Sequence, residues 1–212
     1  MTIKGALFMR ADARRRRAVI IRTACELFTS RELGTVTMEE IARKSGVGIA
    51  TLYRNFPDRE AVIHGCSELL LEDYISLTKR ATRTLKDIAT ATAENKIDNA
   101  EIWKQWRQIV FELVEMGIGA LVPVLAPPSI EQLPPDLQGL RQYASNTSKT
   151  WLDQAKDLGL LHRDIDVHTF TMGLITVSRP PVSAVEQMAP NLRNDLIDLY
   201  LQGLRCGIPD QT

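Results

Sequence analysis

The sequence lacks most of the features that would fix a chemistry in advance. Its three cysteines, Cys25, Cys66 and Cys206, match neither a disulfide framework nor a zinc site in their spacing. No apolar run reaches the roughly 18 residues that a membrane-spanning helix needs. The first ten residues are too short and too weakly apolar for a signal peptide. These absences predict a cytoplasmic protein with no membrane span.

Catalytic and metal-binding motifs are also missing. The sequence has no GxSxG nucleophile motif and no glycine-rich phosphate loop. The letters HRD at 162–164 match part of a kinase catalytic loop, but the chain lacks DFG and is too short for a kinase. The three histidines, His64, His162 and His168, do not have metal-ligand spacing. We therefore expect no catalytic residue, no metal and no cofactor.

Charge is distributed unevenly along a chain whose formal net charge is zero. Residues 10–60 contain 11 Lys/Arg and 7 Asp/Glu, whereas the residues after Glu60 contain 14 and 19. A basic N-terminal part on an acidic body favours contact with a polyanion. The alternative is a chance fluctuation in composition.

The apolar pattern is almost entirely helical, and strand-like alternation is scarce. Residues 1–13 are predicted to form a flexible arm, 14–57 a first domain of three helices, and 58–212 a second helical domain. The first helix, from about Arg14 to Ser30, has apolar residues at 20, 24, 27 and 28, which form one face. Later helices are expected at 58–80, 82–94, 99–119, 135–158, 166–178 and 190–205. The fold class is therefore all-α, with about nine helices.

Residues 37–56 have the pattern of a helix–turn–helix. Thr37-Met38-Glu39-Glu40 matches a capping box that begins a short helix, Met38 to Lys44. Residues 45–47 form the turn, and a second short helix runs from Ile49 to Phe56 with Leu52 and Phe56 facing inward. A helix in a DNA major groove needs only about two turns, which explains its short length. Pro57 suits the first turn of the next helix.

Residues 14–60 resemble the DNA-binding domain of the TetR/AcrR family of bacterial transcription repressors. The resemblance rests on "ACELFTSRELG" followed by "TVTMEEIARKSGVGIATLYRNFPDREAVI". The segments "LGLLHRDIDVHTFTMGL" and "LIDLYLQGLR" are similar to late helices of the family's ligand domain. The resemblance implies a dimer that binds a palindromic DNA operator and responds to a small-molecule effector.

The outward residues of the second short helix are the main candidates for DNA contacts. Since Leu52 and Phe56 take the inward face, Tyr53 points away from the core, and the resemblance implies that its hydroxyl contacts a phosphate. Arg54 can bind a phosphate or a guanine edge, or lie solvated. The full set of predicted DNA-binding residues is Arg14, Arg15, Arg16, Arg17, Thr37, Arg43, Gly48, Ile49, Ala50, Thr51, Tyr53, Arg54, Asn55 and Arg59.

Three of these assignments have specific alternatives. Thr51 contacts DNA or only stabilises the start of its helix, and Asn55 is a weaker candidate for a backbone contact. Thr37 is an N-cap, and the resemblance implies that this helix end and Arg59 also bind phosphates. Arg14–Arg17 form a solvated helix start, or an arm along phosphates or the minor groove. Arginine at a helix N-terminus opposes the helix dipole, which favours the arm.

Gly48 departs from the family pattern, which often has Ser or Thr at this position. Glycine serves as an N-cap at small cost but offers no side chain to DNA. Ile49 and Ala50 then present apolar surface, which reads thymine methyl groups. We expect a half-site with a thymine at this contact and a guanine read by Arg54 or Arg43.

The C-terminal part offers fewer specific residues. Aromatic and apolar side chains at helical spacing are typical of core and dimer packing, but some could line an apolar ligand cavity. Trp103, Trp106 and Phe170 are the predicted ligand-binding residues. The resemblance implies that the last two helices build a four-helix bundle between two subunits.

The sequence therefore predicts a dimeric TetR-type regulator that is released from DNA by a small apolar ligand, with activation as an alternative to repression. Two other classes stay open. One is a helical small-molecule-binding or enzyme-like protein whose N-terminal domain no longer binds DNA. The other is an adaptor whose basic part docks an acidic protein.

Overall fold

The computed structural model describes residues 3–30, 35–127 and 129–207, with side chains from Arg14 onward except Ile130. Throughout these ranges the regular structure is helical, with ten α-helices and a short 3-10 helix, Ile130–Gln132. The all-α prediction is confirmed. No single helix in the described part of the chain is long and apolar enough to cross a membrane. Two consecutive helices, 99–115 and 118–125, are together long and apolar enough, but they are bent at the break between them, and this rests on length and composition only.

The chain divides into two compact units. The first contains Met1–Leu69 with Val124–Ala126, and the second contains Leu70–Pro123 with Pro127–Thr212. The sequence placed the boundary at residue 57, whereas the units separate after Leu69. The reason is that the next helix begins at Arg59, and its first turns bury Val62 and Cys66 in the core of the first unit.

The first unit is built from three helices and the beginning of a fourth: α1 (Ile3–Ser30), α2 (Met38–Lys44), α3 (Ile49–Asn55) and α4 (Arg59–Ala93). The predicted apolar face of α1 is buried, with Ile20, Ala24, Leu27 and Phe28 at most 1% exposed. Val36 and Ile41 join this core. A hydrogen bond from the Cys66 thiol to Cys25, together with burial, raises the pKa of Cys66, which therefore stays protonated.

The N-terminal arm of the sequence prediction is replaced by helix. Residues 1 and 2 lie outside the described residues, but α1 already begins at Ile3. The reason is local: residues 6–13 are rich in alanine, leucine, methionine and arginine, which are strong helix formers, and contain no proline. Arg14–Arg17 therefore lie within α1 rather than at its start.

The second unit consists of the rest of α4 and six further helices. These are α5 (Asn99–Glu115), α6 (Ile118–Leu125), α7 (Pro135–Asp157), α8 (Val167–Val177), α9 (Ser183–Met188) and α10 (Leu192–Cys206). Carboxylates cap two of them: Asp98 accepts the backbone N–H of Glu101 at 2.8 Å, and Asp166 accepts that of Thr169 at 2.6 Å. The bond from Thr169 lowers the pKa of Asp166.

α4 is one helix where the sequence predicted two. Leu77, Ala81, Leu85 and Ile88 form a buried stripe across the expected break. Threonines lower helix propensity there, but Thr82 bonds the carbonyl oxygen of Thr78 at 2.8 Å within the helix. α4 ends in a Schellman motif, in which Lys96 N–H bonds the Ala91 carbonyl and Asn95 has φ 53°.

Two other boundaries differ from the sequence prediction. The helix expected over 99–119 breaks at Gly117, whose φ of 78° lies in the left-handed region. The segment 121–136, expected to be a break, begins with the end of α6, and α9 was not predicted. Both α6 and α9 are shorter than ten residues, too short for an apolar period to identify them.

The close approach of α6 to the end of α8 depends on a glycine. A Cβ at Gly119 would lie 2.5 Å from the backbone of Ser178. At Gly139, in α7, a Cβ would meet nothing within 4 Å. The two positions therefore form a matched pair for substitution by alanine.

We expect Gly119→Ala to lower the free energy of unfolding by about 1–3 kcal/mol, because backbone must move to admit the methyl group. Gly139→Ala should raise it by about 0.5–1 kcal/mol, because alanine favours the helix. Urea denaturation of both variants measures the difference. Equal effects of the two substitutions would show that α6 and α8 do not approach this closely.

Candidate nucleic-acid interface

α2 and the turn after it are fixed by their caps. The Thr37 side chain accepts the backbone N–H of Glu40 at 3.2 Å, as the sequence predicted. At the other end, Val47 N–H bonds the Ala42 carbonyl and Gly46 has φ 69°, which is a Schellman motif. Gly46 is needed here because other residues adopt this conformation at a cost. The turn therefore directs the chain into α3.

α3 is held to the first unit by two side chains. Leu52 and Phe56 are both 0% exposed, as the sequence predicted. Burial of such side chains contributes about 1.5–3 kcal/mol each. Gly48 is the N-cap of α3 and makes no side-chain cap bond.

The other side chains at the N-terminal end of α3, and that of Tyr53, are accessible. Ile49 is 41% exposed and Tyr53 is 43% exposed, although both are large apolar or aromatic residues. Gly48 and Ala50 are exposed as well. Large side chains held outward on a short helix are typical of a recognition surface.

Two polar residues of α3 bond their own helix. Arg54 donates from Nε to the Ala50 carbonyl and from an NH2 nitrogen to Thr51 Oγ1, both at 3.1 Å. Asn55 donates to the Thr51 carbonyl at 2.8 Å. Arg54 would have to give up these bonds to reach a base edge.

The remaining basic candidates fall into two groups. Arg14, Arg15 and Arg16 are exposed on α1, and the Arg43 side chain is 72% exposed with Glu40 3.8 Å away. Arg17 and Arg59, in contrast, are half-buried. The first group has the accessibility that phosphate contacts require.

Arg17 and Arg59 bind other parts of the first unit. The Arg17 guanidinium lies 4.3 Å from the centre of the Phe56 ring and donates to the carbonyl oxygen of Asn55 at 3.2 Å. That carbonyl is at the C-terminal end of α3, where the helix dipole favours a cation. Arg59 lies over the Phe28 ring at 5.3 Å and donates to the Val36 carbonyl oxygen. Both arginines therefore support the helix–turn–helix, a role that sequence reasoning missed.

The start of α4 also differs from the sequence prediction. Pro57 precedes the helix rather than forming its first turn, since α4 begins at Arg59. The reason is that Asp58 caps the helix: its carboxylate accepts the Ala61 N–H at 2.7 Å.

The second unit contains a cluster of three aromatic rings, which we call the aromatic cluster: Trp106, Trp151 and Phe170. The ring centres lie 5.2 Å apart for the two tryptophans, 5.4 Å for Trp151 and Phe170, and 6.0 Å for Trp106 and Phe170. All three are at most 1% exposed. The structure thus brings together two of the three predicted ligand residues, in a packed core.

Trp103, the third predicted ligand residue, does not join the aromatic cluster. It is partly buried at the margin of the core, with the Arg205 guanidinium 5.5 Å from its ring centre. Trp106, three residues further along α5 and about 60° around the helix, is fully buried, whereas Trp103 is not. The third ring of the aromatic cluster is instead that of Trp151. Its contact with Trp106 could not be predicted, because the sequence does not show how α7 packs against α5.

Matches to known families cover most of the chain. Residues 20–66 match the family described as "Bacterial regulatory proteins, tetR family". Residues 98–206, slightly more than half of the chain, match "Transcriptional regulator SbtR-like, C-terminal domain". The chain belongs to the TetR family of transcriptional regulators. No curated protein matches it significantly.

Solved TetR-family structures share the fold. The TetR transcription regulatory protein from Mycobacterium vanbaalenii is 24% identical with a TM-score of 0.50, over 88% of this chain and 98% of that protein. The TetR family protein CprB from S. coelicolor A3(2) is 20% identical with a TM-score of 0.53, over 91% and 90%. Identities this low establish the architecture alone.

TetR-family regulators have a helix–turn–helix DNA-binding domain and a ligand-binding domain. α2 and α3 lie within the residues that match the family's N-terminal domain, and α3 is the second helix of the helix–turn–helix. In the described part of the chain, no group of three or more His, Cys, Asp or Glu side chains could hold a metal ion.

The contacts of Arg17 predict that it stabilises the first unit, and comparison with an exposed arginine separates this effect from that of its charge. Arg17→Ala should lower the free energy of unfolding by about 1–2 kcal/mol, since it removes a cation–π contact and a hydrogen bond. Arg15→Ala, which removes the same charge from an exposed position, should change it by less than about 0.5 kcal/mol. Urea denaturation compares the two, and equal losses would contradict the assignment.

Proposed function

We propose that this TetR-family protein is a repressor that binds a palindromic DNA operator as a dimer and is released by a small, mainly apolar effector. The observation that carries the proposal is α3, whose Ile49 and Tyr53 are exposed while Leu52 and Phe56 are fully buried. TetR-family regulators bind DNA and small molecules and are dimeric, which supports the DNA, small-molecule and dimer parts of the proposal. The protein acts without catalysis and, with no membrane partner, in the cytoplasm.

Contacts to DNA divide by chemistry. Tyr53, Thr37 and the arginines at 14–16 are the proposed phosphate contacts, because they are exposed and carry donors. The Thr37 oxygen already accepts a backbone N–H, so its own hydroxyl hydrogen is left for a phosphate oxygen. Arg17, Thr51, Asn55 and Arg59 act mainly by holding the reading surface in place.

Sequence reading is proposed for the N-terminal part of α3. Ile49 and Ala50 offer apolar contact to a thymine methyl group, and Gly48 lets the backbone approach closely. A guanine would be read by Arg43, or by Arg54 once it leaves its own helix. Half-sites would be one or more DNA turns apart, roughly 34 Å each.

The proposed dimer surface is formed by the last three helices. Several large apolar side chains are exposed there: Met172, Val182, Val185, Met188, Leu196 and Leu199. Leu199 is 68% exposed and Met188 is 86% exposed. A group of exposed apolar residues on an otherwise well-packed unit marks a protein interface. The proposed occupant is a second copy of the chain, since TetR-family regulators are dimeric.

Effector binding is proposed for the aromatic cluster. Its rings are supplied by α5, α7 and α8, so a ligand among them would separate these helices. Such a ligand shifts the protein only by binding one conformation better than another. The conformation it favours would bind the operator less tightly.

Operator binding tests the DNA contacts. With DNA from upstream of the protein's own gene, we expect affinity to fall steeply with salt, because phosphate contacts release counterions. Tyr53→Phe, which removes only the hydroxyl, should weaken binding about tenfold or more. Tyr143→Phe, an equally exposed tyrosine of the second unit, should have no effect. The proposal would be excluded if the protein bound this DNA no more tightly than random DNA, and the same held for DNA from other promoters.

The dimer surface is tested separately. Leu199→Arg should convert the dimer to a monomer, because a charge cannot be buried there without a partner. Asn194→Arg is the control, since residue 194 is exposed and lies about 140° around the helix from residue 199. Analytical ultracentrifugation measures both, and a dimeric Leu199→Arg variant would place the interface elsewhere.

A further inference from the structure

Two buried indole N–H groups in the second unit have no hydrogen-bond acceptor. Trp106 and Trp151 are both 0% exposed, and the Nε1 atom of each is without a partner among the described residues. Gln154 Oε1, one helical turn from Trp151, is unpartnered as well. Buried polar groups normally have a hydrogen-bond partner, and a buried donor without an acceptor destabilises the folded protein.

Some polar groups nearby are paired, whereas Gln154 Oε1 and Thr171 Oγ1, like the two indoles, have no partner in the part of the chain that the structure describes. The hydroxyl oxygens of Tyr74 and Ser148 are 2.7 Å apart, and Ser148 also donates to the Ala144 carbonyl at 2.8 Å. Ser148 is only one turn before Trp151 in α7. Paired and unpaired polar groups therefore both occur close to the aromatic cluster along the chain. A neighbouring ring face is a much weaker acceptor than oxygen.

Among the described residues of the second unit, no charged side chain is fully buried. The buried polar side chains there are those of Thr78, Ser148 and Ser178, all neutral. Burial raises the pKa of Tyr74, so its hydroxyl is neutral too. Arg107, next to Trp106 in the sequence, is partly exposed and bonds both carboxylate oxygens of Asp198, at 2.5 and 2.8 Å. A charged ligand group would find no counter-charge here.

We propose that the effector is a neutral, mainly apolar molecule whose carbonyl or ether oxygen accepts hydrogen bonds from the indoles of Trp106 and Trp151. This inference rests on the proposed function and specifies the ligand chemistry of its effector site. A carboxylate would be excluded by the missing counter-charge, and a hydrocarbon would leave the indoles unpaired. Because the three rings are in contact, the oxygen reaches the donors only when the rings separate. Binding thus selects an expanded core over the packed one.

The test follows the indole resonances of the full-length protein by ¹H–¹⁵N NMR. The probes are acetophenone, ethylbenzene and benzoate, which share a ring and differ in the oxygen and the charge; 2-octanone and octanoate repeat the comparison with an aliphatic body. We expect the two ketones to move the indole proton resonances of Trp106 and Trp151 downfield. The ketones should bind at least about fivefold more tightly than ethylbenzene, the effect of one hydrogen bond.

The chain supplies its own controls. Trp103 gives the third indole resonance and should not respond to any probe. Trp106→Phe and Trp151→Phe assign the other two resonances, and each should cost acetophenone about fivefold in affinity while leaving ethylbenzene unchanged. If either variant fails to fold, the ranking of probes on the unsubstituted protein still decides the matter. The inference is overturned if ethylbenzene binds as tightly as acetophenone, if the carboxylates bind best, or if no probe moves either resonance.

Operator binding measured on the same sample separates this inference from the proposed function. Intact operator binding together with unresponsive indoles overturns the ligand chemistry alone. Responsive indoles in a protein that does not bind the operator overturn the proposed function alone.

Discussion

Burial of Leu52 and Phe56 is the constraint on which the rest of the DNA-binding unit depends. α3 has only seven residues, and an isolated helix of that length is not stable in water. Its stability comes from two side chains that are 0% exposed. These two residues hold the helix against the core and leave Ile49 and Tyr53 exposed. The reading surface is therefore a consequence of packing, and it needs no separate stabilisation of its own.

Basic residues serve two purposes in this unit, and the structure separates them. Arg17 and Arg59 each lie over a buried phenylalanine and donate to a backbone carbonyl oxygen. Arg17 connects the C-terminal end of α3 to α1, and Arg59 connects the segment before α2 to α4. The exposed arginines of α1 are the proposed phosphate contacts, and Arg43 is proposed for a guanine. A count of charges along the sequence cannot distinguish the two groups, since the distinction depends on which aromatic ring lies nearby.

The sequence predicted best where the signals are local. The Thr37 cap, the glycine turn at 46 and the inward positions of Leu52 and Phe56 follow from residue chemistry within one or two turns, and all are present. The predicted break within α4 was wrong. Threonines lower the helix propensity locally, but a buried apolar stripe from Leu77 to Ile88 keeps the helix continuous. The aromatic cluster was found only in part: Trp106 and Phe170 were expected, whereas Trp151 meets them through tertiary packing of α7 on α5. The roles of Arg17 and Arg59 also depend on tertiary contacts.

The central claim is that the outward face of α3 reads DNA. The most direct measurement is a crystal structure of the protein on its operator. The account predicts α3 in the major groove, with the Tyr53 hydroxyl on a phosphate and Ile49 against a thymine methyl group. A complex in which DNA contacts another surface, and leaves Ile49 and Tyr53 in solvent, would contradict it.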